Sequence, residues 1–174
     1  MSRMITRAAE AWSLLGGLCI LAVAGLMSLN ALLLGLTRGL GALGLEALAP
    51  GVPGIYGTEE IVGLLASVAA LAFFPYCHLR QGHIAVGILV DLAPERLRRA
   101  NAVLAHLLAC GAALFLGWWL ILGMAEVFDD HTVTSLLGLP HWPFYLPGVV
   151  SMALWALVAA QSAFDTKGTL HGPA

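Results

Sequence analysis

Charge is what this sequence has least of. Only 8 of its 174 residues are basic and 10 acidic, a charged fraction of 10%, where an average soluble domain carries about 25%. A soluble surface needs about 25–35% charged side chains to stay dispersed, so a soluble globular domain is excluded. A disordered chain is excluded as well, because such chains are polar and charge-rich. The net charge of −2 offers no electrostatic ground for a nucleic-acid partner. Cysteine is scarce too: Cys19, Cys77 and Cys110 fall in uncharged stretches and form no CxxC pair. An odd count of this kind rules out a disulfide framework and leaves small, polarizable packing residues. What the chain does have is apolar side chains, 60% of the total, with a mean hydropathy of +0.90. It reads as an integral membrane protein.

The positions of the charges divide the chain. No charged residue lies between Glu10 and Arg38, Glu60 and Arg80, Arg99 and Glu126, or Asp130 and Asp165, gaps of 27, 19, 26 and 34 residues. A hydrocarbon core of about 30 Å takes about 20 helical residues, so each gap holds one span and none comfortably holds two. The expected fold is an all-α membrane domain over residues 1–174 with four spans, at about 12–36, 61–79, 100–125 and 146–164. The repeated alternation of a membrane β-barrel is missing. Arg3, Arg7, Arg80, Arg96, Arg98, Arg99 and Lys167 then fall on one side and only Arg38 on the other. That bias makes the first side cytoplasmic, with both termini inside. The first span outlasts a secretory apolar core of about 7–15 residues, so it is read as retained.

Two connections are informative. Segment 37–58 holds Gly39, Gly41, Gly44, Gly51, Gly54 and Gly57 with Pro50 and Pro53. A short interfacial helix over 39–49 followed by a Pro-Gly turn is expected there. Thr58 stands where an N-cap would, with Glu59 and Glu60 in the first turn, where the exposed amides favour acids. Segment 81–93 is apolar from Ile84 to Val90 but too short to span, and is read as an interfacial helix or an extension of span two, which Pro75 could kink. Pro94 and Glu95 open the next helix, with Arg96, Arg98 and Arg99 at the level of anionic lipid headgroups.

Within the spans, chemistry is nearly absent. No carboxylate or arginine occupies the middle of any of them, and ionisable groups at that depth are what mark ion and proton pathways. The chain is therefore not expected to transport by itself, nor to be an enzyme, and no catalytic, cofactor or metal site is expected. His78 and His106 fall near the same membrane surface. Two histidines on separate spans can ligate a haem or join helices by a hydrogen bond, and both readings stand at this level.

Three stretches carry a resemblance. Thr58-Glu59-Glu60 opens span two. Leu79-Arg80-Gln81-Gly82-His83-Ile84 is followed by Leu92-Ala93-Pro94-Glu95-Arg96-Leu97-Arg98-Arg99. Leu136-Leu137-Gly138-Leu139-Pro140 precedes Trp142 and Tyr145-Leu146-Pro147-Gly148. In this order the chain resembles the small membrane subunit of the tripartite ATP-independent periplasmic (TRAP) transporters, the DctQ-like family. Gln81 and Gly87 depart from that pattern, where a basic and an acidic residue are common. The resemblance implies a non-catalytic scaffold in the bacterial inner membrane, surrounded by lipid and partnered by a large sodium-coupled permease subunit and a periplasmic protein that binds an organic acid. It implies contacts with the large subunit at Arg80, His83 and Asp91, and a periplasmic docking face at Glu59, Glu60, Asp129 and Asp130. The small subunit of the tricarboxylate-type tripartite transporters and a haem-binding respiratory anchor are the alternatives. The Gly82-His83 turn favours the first reading.

Overall fold

Helices form where the charges are missing. In hydrocarbon no water is at hand for an unpaired amide or carbonyl, so a spanning segment has to satisfy its backbone internally. The computed structural model describes residues 3–45, 54–80 and 94–168. Four helices, α1 (Arg3–Ala42), α2 (Thr58–Leu79), α3 (Glu95–Asp129) and α4 (Tyr145–Gly168), hold most of them, and a 3-10 turn, Trp142–Phe144, leads into α4. Each is long and apolar enough to cross a membrane. Among the described residues the only β-pairing is an isolated bridge between Val133 and Pro140.

Two element boundaries differ from expectation. No separate interfacial helix begins at Gly39: residues Gly39 to Ala42 continue α1. The apolar run carries on through Leu36 and Leu40, and the Thr37 hydroxyl donates back to the carbonyls of Leu33 and Leu34, so nothing there breaks the helix. It closes at Gly44, whose φ of +70° suits a residue without a Cβ. The rest of that expected helix, 46–49, and the expected interfacial helix in 81–93 lie outside the described residues. The second difference is at α2. Its N-cap is Gly57, not Thr58, and the Thr58 hydroxyl donates to the Ile55 carbonyl instead of to a helix amide. Pro75 sits inside α2 without ending it.

The helices are arranged as a row. α1 packs on α2, α2 on α4 and α4 on α3, with a lighter contact between α1 and α4. In the most apolar 18-residue stretch of each helix, 22% of α2 and 39% of α4 is buried, against 0% of α1 and 6% of α3. The middle pair is therefore the core and the outer pair faces outward. Small side chains let the helices approach: Ala69, Ala72, Ala113, Ala156, Ala159 and Ala163 are buried beside Met152, Val158 and Trp155. α1 comes close to α2 at Gly16, where an added Cβ would stand 2.9 Å from the Ala72 Cβ. Polar bonds pin the register. Trp12 Nε1 donates to Ser151 Oγ at 2.8 Å, tying α1 to α4, and the Phe74 and Trp155 rings lie 4.9 Å apart between α2 and α4.

This alternating path gives the row a basic end and an acidic end. Arg3, Arg7, Arg80, Arg96, Arg98 and Arg99 lie at the first, and Glu59, Glu60, Glu126, Asp129 and Asp130 at the second.

Candidate functional site

The polar chemistry gathers at the acidic end, in a cap built over the starts of α2 and α4. Residues Thr132 to His141 fold back on themselves. The Thr134 amide donates to the Leu139 carbonyl, the His141 amide to Thr132 and the Gly138 amide to Thr134, and the Leu139 amide donates to Thr134 Oγ1 at 3.0 Å. Gly138 turns the chain with φ +65°. Glu60 fastens this loop to α2. Its Oε1 accepts from the Leu136 amide at 2.7 Å and its Oε2 from the Leu137 amide at 3.0 Å. Below them Gly57, at φ +73°, lies so close under Leu137 that an added Cβ would meet its Cγ at 2.5 Å. Segment 54–57 is fixed on its other side by α1, because the Ile55 amide donates to Asn30 Oδ1 at 2.7 Å. The cap thus joins α1, α2 and the lead-in to α4.

Glu60 stands ahead of the apolar stretch that starts at Ile61. Partial desolvation against the loop raises its pKa. Hydrogen bonds from the Thr134 hydroxyl and the amides of Leu136, Leu137 and Ser135 outweigh that effect and hold it below the ordinary carboxylate value. A carboxyl with a lowered folded pKa supports the folded state at neutral pH, and that support is lost as pH falls through the lowered value. Hydrogen exchange at Leu136 and Leu137, corrected for intrinsic rates, should therefore be slow at neutral pH and faster in acid. In Glu60→Gln it should be fast at both, since a neutral amide cannot accept two such bonds as strongly. Equal protection in the two proteins would remove the clamp from the account.

Of the residues expected at a docking face, Glu59, Asp129 and Asp130 are exposed, whereas both oxygens of Glu60 are engaged by the loop. Glu59 lines an open cleft with Ser67, Ser135 and His141. At the basic end, Arg80 Nη2 pairs with Glu10 Oε1 at 3.4 Å. Its Nε donates to the Tyr76 hydroxyl at 3.2 Å. The guanidinium lies over the Tyr76 ring, 5.4 Å from its centroid. His83 and Asp91 lie outside the described residues. Glu95 pairs with Arg98 and Arg99. These pairs are exposed, and solvent screening leaves such pairs little weight in stability.

His78 and His106 do meet, with Nε2 and Nδ1 3.0 Å apart. A metal held by two imidazoles keeps each nitrogen at about 2.0–2.1 Å, so opposed ligands stand about 4 Å apart. At 3.0 Å the two ring nitrogens are within hydrogen-bond distance and join α2 to α3, with Trp155 of α4 packed 6.5 Å from His78. The residues do not fit the haem-anchor reading. Among the described residues no three His, Cys, Asp or Glu side chains cluster as a metal site, and the three cysteines are free.

The fold and its cap define a class: a small polytopic membrane protein of four helices whose polar groups lie at its two ends. The family model described as "Tripartite ATP-independent periplasmic transporters, DctQ component" matches residues 49–167. The chain belongs to this family, a component of a transporter. No curated protein and no solved structure gives a significant match. The match takes in α2, α3, α4 and the cap, and leaves α1 outside it.

Proposed function

We propose that the chain is the non-catalytic scaffold of a sodium-coupled TRAP transporter that takes up an organic acid. It would steady the large permease subunit in the bacterial inner membrane and help to dock the periplasmic binding protein. The observation that carries this reading is the distribution of polar groups. Residues 11–37, 61–79, 100–125 and 146–164 contain no Asp, Glu, Lys or Arg, so the ion and substrate sites belong to a partner. The acidic end, by contrast, has a braced loop with Glu59, Asp129 and Asp130 beside it. The bias of basic residues supports placing the basic end in the cytoplasm and the cap in the periplasm. Arg80, His83 and Asp91 are assigned to contacts with the large subunit on the cytoplasmic side.

Reconstituted uptake with all three components tests both assignments. Changing Glu59, Asp129 and Asp130 together to Lys should leave the yield of the membrane complex unchanged. Uptake at limiting binding protein should fall several-fold, with the loss shrinking at high salt as exposed charges are screened. Uptake unchanged at low ionic strength would sink the docking role. Neutralising Arg80, His83 and Asp91 together should lower complex yield, and an unaltered yield would refute that contact.

A further inference from the structure

We propose that the open cleft beside the start of α2 binds the head of a phosphatidylethanolamine lipid and holds its primary ammonium on Glu59. The cleft measures about 390 Å³, a usual size for a small-molecule site. Glu59 and Glu60 line it from α2, and Ser135 and His141 line it from the cap. Both oxygens of Glu60 accept from the amides of Leu136 and Leu137, so this residue brings negative charge but little further bonding capacity. Glu59 is exposed and is the carboxylate left to meet a ligand. Among the described residues no lysine or arginine lines the cleft. The charge that would complement it is positive.

Two observations choose the kind of cation. The first is spread. Glu59, Glu60 and His141 all line the cleft, yet among the described residues no three His, Cys, Asp or Glu side chains come together as a metal site. A bare divalent ion needs its oxygens at about 2.0–2.6 Å, whereas an organic ammonium several atoms long can span acceptors that stand apart. The second is depth. Glu59, Gly63 and Ser67 follow one another at intervals of four residues along one stripe of α2, so the cleft runs about 12 Å down the helix, from the carboxylates into the apolar stretch that starts at Ile61. Leu64 lines it at that depth. Gly63 leaves the space open, since an added Cβ would meet nothing within 4 Å. Ser67 donates its proton to the Gly63 carbonyl at 2.8 Å, and its oxygen can still accept. The site is thus acidic at its mouth and apolar at its foot, as a phospholipid is polar at its head and apolar below. An ethanolamine ammonium offers three donors to Glu59, and the Ser135 hydroxyl and His141 ring supply donors for the phosphate. A choline head has no N–H to give, and a glycerol head carries no cation.

Native mass spectrometry of the delipidated full chain in mild detergent tests the assignment, with phosphatidylethanolamine, phosphatidylcholine and phosphatidylglycerol of the same acyl chains added in turn. The ethanolamine lipid should bind at least roughly tenfold more tightly than the other two, the scale of one hydrogen bond to a charged group. Glu59→Gln should erase that preference. Gly63→Leu, which fills the cleft from an open position, should erase it too, while Gly25→Leu, on α1 where an added Cβ meets nothing within 4 Å, should leave it unchanged. Should Gly63→Leu fail to elute as the native chain does, Glu59→Gln alone decides. A carbodiimide should also couple Glu59 to the lipid amine, located by peptide mapping. Equal binding of the three lipids, or a preference that survives Glu59→Gln, would overturn the site. So would coupling of Glu59 to a lysine of added periplasmic binding protein in place of the lipid, an outcome that would leave the docking role standing.

Discussion

Gly16→Leu should separate α1 from α2, whereas the same change one residue along, Gly17→Leu, should be tolerated. A Cβ at position 16 would stand 2.9 Å from the Ala72 Cβ, 3.4 Å from the Ala69 carbonyl and 3.5 Å from Phe73, while one at position 17 meets nothing within 4 Å. The first obstacles belong to a backbone and a methyl group that cannot swing aside. Leucine there has to push the helices apart, and overpacking of this kind costs about 1–3 kcal/mol. For a chain of this size that corresponds to a fall of roughly 2–12 °C in the unfolding midpoint, read by thermal unfolding in detergent. Displacing α1 also stretches the Trp12–Ser151 and Asn30–Ile55 bonds, so the loss should be cooperative. Equal midpoints for the two variants would show that α1 does not rely on this contact.

The second large effect is expected at Gly57. Valine there must take a left-handed backbone conformation, which costs an L-residue about 1–2 kcal/mol, and must also enter the space under Leu137, whose side chain stands 2.5–2.7 Å from an added Cβ. Gly44 has a similar φ of +70° with nothing within 4 Å. Gly44→Val therefore carries the strain alone. The two variants separate strain from packing. Gly57→Val should release the Thr132–His141 loop, measured as faster cleavage within it by an added protease, and Gly44→Val should not. If both variants resist cleavage equally, Leu137 is not what holds the loop to α2.

These two glycines mark the limit of what the chain reveals without its fold. The four spans were legible because Asp, Glu, Lys and Arg cannot sit cheaply in hydrocarbon, so their gaps trace the membrane directly. The start of α2 was legible to within one residue from Thr58-Glu59-Glu60. The offset of one residue arises because Gly57 adopts the left-handed conformation and caps the helix without any side-chain bond. Glu59, Asp129 and Asp130 were readable as an exposed acidic set. Glu60 was not separable from them. Its partners, Leu136 and Leu137, are 76 and 77 residues away, and a side chain bonded to backbone amides leaves no pattern of residue types. The same holds for Gly16 among 20 glycines. The sequence places His78 and His106 at a shared depth, but only their 3.0 Å separation distinguishes a hydrogen-bonded contact from a pair of metal ligands. Six glycines between 39 and 57 predict a break, yet the leucines between the first of them keep α1 going to Ala42.

The cap has a mechanical meaning as well. Glu60 is a strut: it carries load between the loop and α2, and α2 is the helix gripped on both sides, by α1 and by α4. A pull or push on Leu136 is therefore delivered into the middle of the row instead of bending α3, the helix at its edge. Anything that lands on the acidic end presses on a braced beam, and α3 keeps its place beside whatever lies against it.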